Sequence, residues 1–477
     1  MSLDGDPLAY HHIQRDPVDN ASTTPPINEK VRISSIWLFE AYTPTLVSNL
    51  QKGAQRLGWA DSESLMNWDF PEQVAEMRGM ALAAGWLNLG LIVSSDASAS
   101  PFHHRSAPLP MEVSAIRMSI LQPFPSTTIG CFQFILNETT ANALDAPLRD
   151  IYKTDSESIE QGMLRIIGVK PQKRQAVDVM RAYLRSVCVK WVNEYFPGHF
   201  SLRPTRNSLP TCELLLISEQ RDFFGSSTNQ HHPSFLNSLG LPVGQYAWKS
   251  ENLSGLFLQF IEGTNRAVLF GNLHDALRGM NLDGYGPTKE TQIVHWVEHL
   301  DDTFLVWILD RLAQDFVREM AETRDAYGAL DLSVASTARA DTNPLDKKLL
   351  EFQRSAIPYS YDLDTYCESE QFFLSAVYEF KPVIEFAKLE RNLFRDKRFS
   401  LMVAAKHIKQ LEQQIRAIAF QTSQIISTMS SEAVVATNIA LQKGIYWMTI
   451  VMLLLALLTA IAPLHRFLDL IFQILND

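Results

Sequence analysis

The pattern in this sequence best suited to chemistry is HWVEH, which places His295, Glu298 and His299 within five residues. Two histidines four apart share one face of an α-helix and can hold zinc, with the intervening glutamate as general base. Catalytic zinc takes three protein ligands, so a third must fold in from elsewhere; Glu368, Glu370 or Glu379 lies far enough downstream to fold back, and nothing in the sequence selects among them. The competing expectation is a solvated helix face, because His295, Glu298, His299 and Asp302 lie opposite or beside an apolar stripe.

Other patterns are thinner. His103-His104 and His231-His232 stand in turn-rich stretches, where exposed histidine is the rule. No G-x-S-x-G elbow occurs, and no glycine-rich loop leads to a P-loop lysine. The four cysteines, Cys131, Cys188, Cys212 and Cys367, form no C-x-x-C pair and no disulfide framework, so reduced, buried thiols are expected. The formal charge of −11, without a long Lys/Arg cluster, argues against a nucleic-acid partner.

Elements that would carry these residues follow from periodicity. Residues 1–30 are polar and expected to form a disordered arm. From 31 to 285 strand-like runs (VRISSIWLF, LNLGLIVSS, SAIRMSILQPF, TTIGCFQFIL, CELLLIS, LFLQFIE, RAVLFGN) mix with helical ones. They do not alternate strictly, which points to an α+β head. Residues 286–328 read as one long amphipathic helix with Ile293, Trp296, Val297, Leu300, Phe304, Trp307, Ile308 and Leu312 on its apolar side. A polar linker is expected over 329–347 and a helical segment over 348–396.

The chain then becomes a rod. Between Pro382 and Gly444 there are 61 residues without proline or glycine. Over 397–443 a seam recurs at Leu401, Ala404, Ile408, Leu411, Ile415, Ile418, Thr422, Ile425 and Met429. Ala405, Ala419, Ile426 and Ala433 widen it by a column. This is coiled-coil spacing and predicts a stalk that assembles a homo-oligomer; a hairpin packed on the chain's own helices is the alternative.

The stalk leads into GIYWMTIVMLLLALLTAIAPL, residues 444–464, 21 residues without a charge. A lipid core of about 30 Å is crossed by about 20 apolar residues. Tyr446 and Trp447 suit an interfacial belt, and Leu453, Leu454, Leu455, Leu457 and Leu458 suit the hydrocarbon. The lipid bilayer is thus the expected partner. The N-terminus lacks the pattern of a signal peptide, so the expectation is a single-pass membrane protein with a cytosolic N-terminal bulk. The tail, 465–477, has Phe467, Leu470, Ile471, Ile474 and Leu475 on one face and is expected to lie in the interface.

A mixed α/β head, returning helices and a long helix that runs into a membrane span: this layout, over about residues 280–463, resembles the CorA-type magnesium channels. The resemblance implies a pentamer whose long helices line a pore. Pro463-Leu464-His465 follows the span where that family has Gly-Met-Asn, and the nearest such triplet here is Gly279-Met280-Asn281, far upstream. No second uncharged run follows in residues 465–477. The functional expectation is a non-enzymatic, membrane-anchored sensor or scaffold, with a degenerate CorA-like channel as a special case. A membrane-tethered zinc hydrolase using His295, Glu298 and His299 is the alternative.

Overall fold

Runs of Val, Ile, Phe and Leu with few breakers form strands because branched and aromatic side chains pack well on a pleated, buried surface. The computed structural model describes residues 7–59, 70–79, 85–94, 104–158, 164–203, 209–220, 223, 234–241, 247–250, 253, 255–261, 264–277, 283–330, 335–368, 380–382 and 393–476. They divide into a unit of Met1–Arg318 with Glu351–Lys409, and a unit of Glu319–Leu350 with Gln410–Asp477.

The first unit is an α+β head. Its strands are β1 (Val31–Tyr42), β2 (Gly85–Ser94), β3 (His104–Ala107), β4 (Val113–Phe124), β5 (Thr127–Leu136), β6 (Asp155–Ser158), β7 (Leu164–Ile167), β8 (Thr211–Ile217), β9 (Ala247–Ser250), β10 (Leu256–Ile261), β11 (Arg266–Asn272) and β12 (Phe380–Pro382). Ten of them form one mixed sheet in the order β12-β9-β10-β11-β8-β1-β5-β4-β2-β3, and β6 pairs with β7 alone. The β8–β11 and β2–β3 pairs are parallel; the others are antiparallel. All seven strand-like runs are strands.

The central strands are buried on both faces, which is why they read as nearly continuous apolar runs. On one face the helix Val169–Tyr195 lays Trp191 against Phe132 and Phe134, with ring centroids 6.3 and 5.7 Å away. The Tyr42 hydroxyl donates to the Phe196 carbonyl at 2.7 Å on this face. On the other face Phe304 packs on Trp37 and Phe39 at 5.9 and 5.1 Å, and Tyr359 on Phe124 at 5.7 Å.

Several expectations are corrected. The arm is no disordered tail: Pro7–Thr23 is a helix. It is held by polar side chains whose partners are distant in sequence. The Asn20 amide donates to the Tyr152 carbonyl and accepts from its N–H, and Asp16 accepts from Thr154. The long helix expected over 286–328 is broken into Lys289–Trp296, a 3₁₀ turn at Val297–Leu300, and Asp301–Gly328. Sheet side chains reach the backbone at the break. Gln133 Nε2 donates to the Val294 carbonyl at 2.9 Å and Arg117 Nη1 to the His295 carbonyl at 3.4 Å, which also accepts a backbone N–H at the helix end. The apolar stripe survives, and all eight of its residues are buried.

The expected linker over 329–347 is largely helix, Ala335–Arg354, rich in alanine at its start and tolerating Pro344. The expected helical segment 348–396 contains the strand Phe380–Pro382, which pairs with β9 at the sheet edge. A proline is acceptable at such an edge.

Candidate functional site

Arg117 of β4 and Gln133 of β5 are register partners on the face covered by the helices that begin at Lys289 and Asp301. Arg117 Nη1 donates to Gln133 Oε1 at 3.1 Å, and Gln133 Nε2 reaches Ser35 Oγ at 3.3 Å. Next to them Ser119 Oγ donates to Asp301 Oδ2 at 2.7 Å. Trp37, Arg117, Ser119, Cys131, Gln133 and Asp301 line a cavity of about 10 Å³, the room of one water.

His295 belongs to this cluster. It is half-buried, not on a solvated face, and Arg117 Nη2 is hydrogen-bonded to its Nδ1. A guanidinium only donates, so Nδ1 accepts and the ring proton sits on Nε2. Burial first, and then the Arg117 charge, lower its pKa to about 4, so the ring is neutral at pH 7. A cation beside Nδ1 opposes a second cation on the same ring. Glu298 and His299 lie on the 3₁₀ turn, so the helical i, i+4 spacing assumed for the motif does not hold; their side chains lie outside the described residues. Glu368 is exposed at a helix end. Glu370 and Glu379 lie outside the described residues, as do His103, His231, His232 and Gly279-Met280-Asn281. Among the described residues no group of three or more His, Cys, Asp or Glu side chains is placed to hold a metal. Chemically the cluster pins two helices to the sheet through satisfied polar contacts. Its cavity has no room for a substrate.

The second candidate is the long helix Leu393–Asn476. Within it Arg398–Leu457 is long and apolar enough to cross a membrane, and none of its apolar window is buried in the chain. Sixty residues of helix span about 90 Å. The seam is used inside the chain. In the head, Leu401, Ala405 and Ile408 are buried. In the second unit, made of 319–350 and 410–477, Leu411, Ile415, Thr422 and Ile426 are buried, and Arg324 Nη1 donates to Gln414 Oε1 at 3.4 Å. Ile418 and Met429 are half-buried, and Ile425 is exposed. The inner line therefore steps through Ala405, Glu412, Ala419 and Ile426 in place of the Ala404, Leu411, Ile418 and Ile425 column, although Leu411 stays buried. The stalk seam expected to join copies is thus taken, over Leu401–Ile426, by a partner within the same chain. The helical-hairpin alternative describes it better.

From Ser430 to Leu457 every residue but Ile450 is exposed, about 42 Å of helix. Tyr446, Trp447, Leu453, Leu454, Leu455 and Leu457 are each more than half exposed, and so are Ile445, Met448, Val451 and Met452. Burying one such side chain contributes about 1.5–3 kcal/mol. Halved for the shielding the helix itself provides, these ten forgo roughly 8–15 kcal/mol in water, as much as a whole domain's stability. The Leu458 side chain lies outside the described residues. The helix continues without a break to Asn476, so residues 465–476 extend the long helix and are not a separate element.

The residues missed by pattern reading are single charges inside apolar strands: Glu40 in IWLFEAY, Arg117 in SAIRMSIL and Glu213 in CELLLIS. Each is buried. A lone charge in such a run is the signal that would have found them, because burial demands a partner. The sequence matches no protein-family model, and comparison with curated proteins and with solved structures returns no match.

Proposed function

We propose that this protein is held in a lipid bilayer by the segment 444–464 and acts without catalysis, as a sensor or scaffold whose head lies on the cytosolic side. The observation that carries the reading is the full-circumference exposure of large apolar side chains from Ile445 to Leu457. Only surroundings that are apolar on all sides satisfy such a helix. The cytosolic side is supported by four cysteines that are all free and buried, as expected where thiols stay reduced. The non-catalytic reading is supported by a polar cluster whose groups serve one another and whose cavity admits no more than water. Contacts between copies along the long helix, including the bundle a CorA-like pore needs, fall to the residues from Ser430 onward.

The test is flotation with neutral liposomes, comparing the full chain with a chain ending at Lys443. The full chain is expected in the lipid fraction and the shortened chain at the bottom of the gradient. Equal behaviour of the two ends the proposal. Protease added outside sealed vesicles is expected to remove the head and leave the anchor.

A further inference from the structure

Glu213 of β8 is buried beneath the helix Val169–Tyr195, and three arginines converge on it. Arg181 Nε donates to Oε2 at 2.5 Å, Arg185 Nη1 donates to Oε1, and Arg266 Nη2 stands 3.8 Å from Oε1. Arg181 and Arg185 are one helical turn apart, which puts both guanidiniums over the same strand. Arg266 opens β11 two residues before Val268, the register partner of Glu213, so it shares the face on which Glu213 lies. The group has a floor and a rim. The Arg181 and Glu213 side chains are 1% and 2% exposed, whereas Arg185 and Arg266 are 13% and 21% exposed.

The charges do not balance. Three guanidiniums face one carboxylate. The other acid acting on Arg266, Asp178, is on the half-exposed surface of the helix and pairs with Arg174 at 4.0 Å. Donors are also left over. Arg181 spends Nη1 on the Leu239 carbonyl at 2.5 Å, but among the described residues its buried Nη2 has no acceptor. Nor do Nε and Nη2 of Arg266, the two donors of one side of its fork. That side is the edge with which arginine grips carboxylate or phosphate in two parallel bonds. Unpaired buried donors and uncompensated buried charge are both costly. Burial together with Arg185 and Arg181 lowers the pKa of Arg266 to about 10, which leaves it charged at pH 7.

We infer that this cluster binds a phosphate group, entering over Arg185 and Arg266 and accepting from Arg266 Nε and Nη2 and from Arg181 Nη2. The excess of two positive charges selects the class. A phosphate monoester carries about −1.5 to −2 at pH 7, whereas one carboxylate would leave half the excess in place. Glu213 holds Arg181 and Arg185 in position and leaves the remaining donors to the ligand. The phosphate can belong to a soluble compound or to a lipid headgroup. The inference stands on the head alone and does not depend on the membrane reading.

The experiment uses the full chain in detergent at pH 7.5. Melting and calorimetric titration follow inorganic phosphate against sodium chloride of equal ionic strength. Phosphate is expected to raise Tm where chloride does not, and Arg266→Gln to weaken phosphate binding about tenfold or more. Because Arg266→Gln removes one charge from a repelling set, its Tm without phosphate is expected to equal or exceed that of the wild type. A short-chain phosphatidylinositol phosphate, kept below its micelle concentration, separates the sources. Competition at one-tenth or less of the inorganic phosphate concentration assigns a lipid headgroup; weaker competition assigns a soluble phosphate. Two results overturn the site: a wild-type Tm indifferent to phosphate, or an Arg266→Gln protein that binds phosphate like the wild type.

Discussion

Ile415 decides whether the stalk seam belongs to the chain itself or to a partner copy. Its side chain is 0% exposed, while Ile425, another position of the same expected seam, is 43% exposed. Truncating a buried isoleucine to alanine costs about 2–5 kcal/mol, and at a largely exposed site about 0.5 kcal/mol or less. Hydrogen exchange of the full chain in detergent reads this directly, because amide protection in residues 410–426 reports the local opening free energy. At 1.4 kcal/mol per tenfold, Ile415→Ala should speed exchange there about 30-fold to 4,000-fold, up to the limit set by global unfolding. Ile425→Ala should change it by about twofold. Particle mass in the same detergent should be equal for both variants and the wild type. Unchanged exchange in Ile415→Ala, or a fall in mass on that substitution alone, would refute intramolecular packing of the seam and restore the oligomeric stalk.

Glu40 and His199 should show opposing pH dependence. Burial raises the Glu40 carboxyl from 4.5 to about 7, against hydrogen bonds from Ser201, Phe200 and Ala41 that lower it. A raised folded pKa favours the protonated form, so its stability contribution is full below pH 4.5 and declines by about 3 kcal/mol as pH rises to 7. Burial lowers His199 from 6.5 to about 4, so its contribution is full above 6.5 and is lost as pH falls through 4. Denaturation of Glu40→Gln, relative to wild type, should therefore gain stability on going from pH 4.5 to 7, and His199→Phe should lose it between pH 4 and 6.5. Gly198→Ala should lower Tm, since its Cβ would sit 2.5 Å from Glu40 Cγ and 2.7 Å from the Ala41 carbonyl; overpacking of this kind costs about 1–3 kcal/mol. If the segment 444–464 spans a bilayer as proposed, Leu454→Arg puts a charge near its middle at about 2.5–3.5 kcal/mol and should reduce the fraction of chain recovered with liposomes.

Local patterns were legible where local physics suffices. The long apolar helix is one such case: hydropathy around a whole circumference needs no knowledge of the fold, and residues 444–464 show it without a charge. The seven strand runs are another, because a strand buried on both faces must be apolar along its length. The eight-residue stripe from Ile293 to Leu312 also held, since both its helices face the same sheet.

What the tertiary structure decided is everything that depends on a partner distant in the chain. The strand order sets β1 between β5 and β8, a pairing no local pattern encodes. The helix Pro7–Thr23 reads as a loose polar arm until Tyr152 and Thr154 meet Asn20 and Asp16. HWVEH suggests a metal helix until the sheet is in place, where Gln133 and Arg117 bind the Val294 and His295 carbonyls and Val297–Leu300 is a 3₁₀ turn. The heptad spacing of Leu401 to Met429 specifies that a helix face must be covered, but a period carries no information on whether the cover is the same molecule or another. Charges behave in the same way. Glu213 in its apolar strand announces a need for counter-charge, and only the packed sheet and helix bring three arginines to it, two positive charges more than its carboxylate offsets.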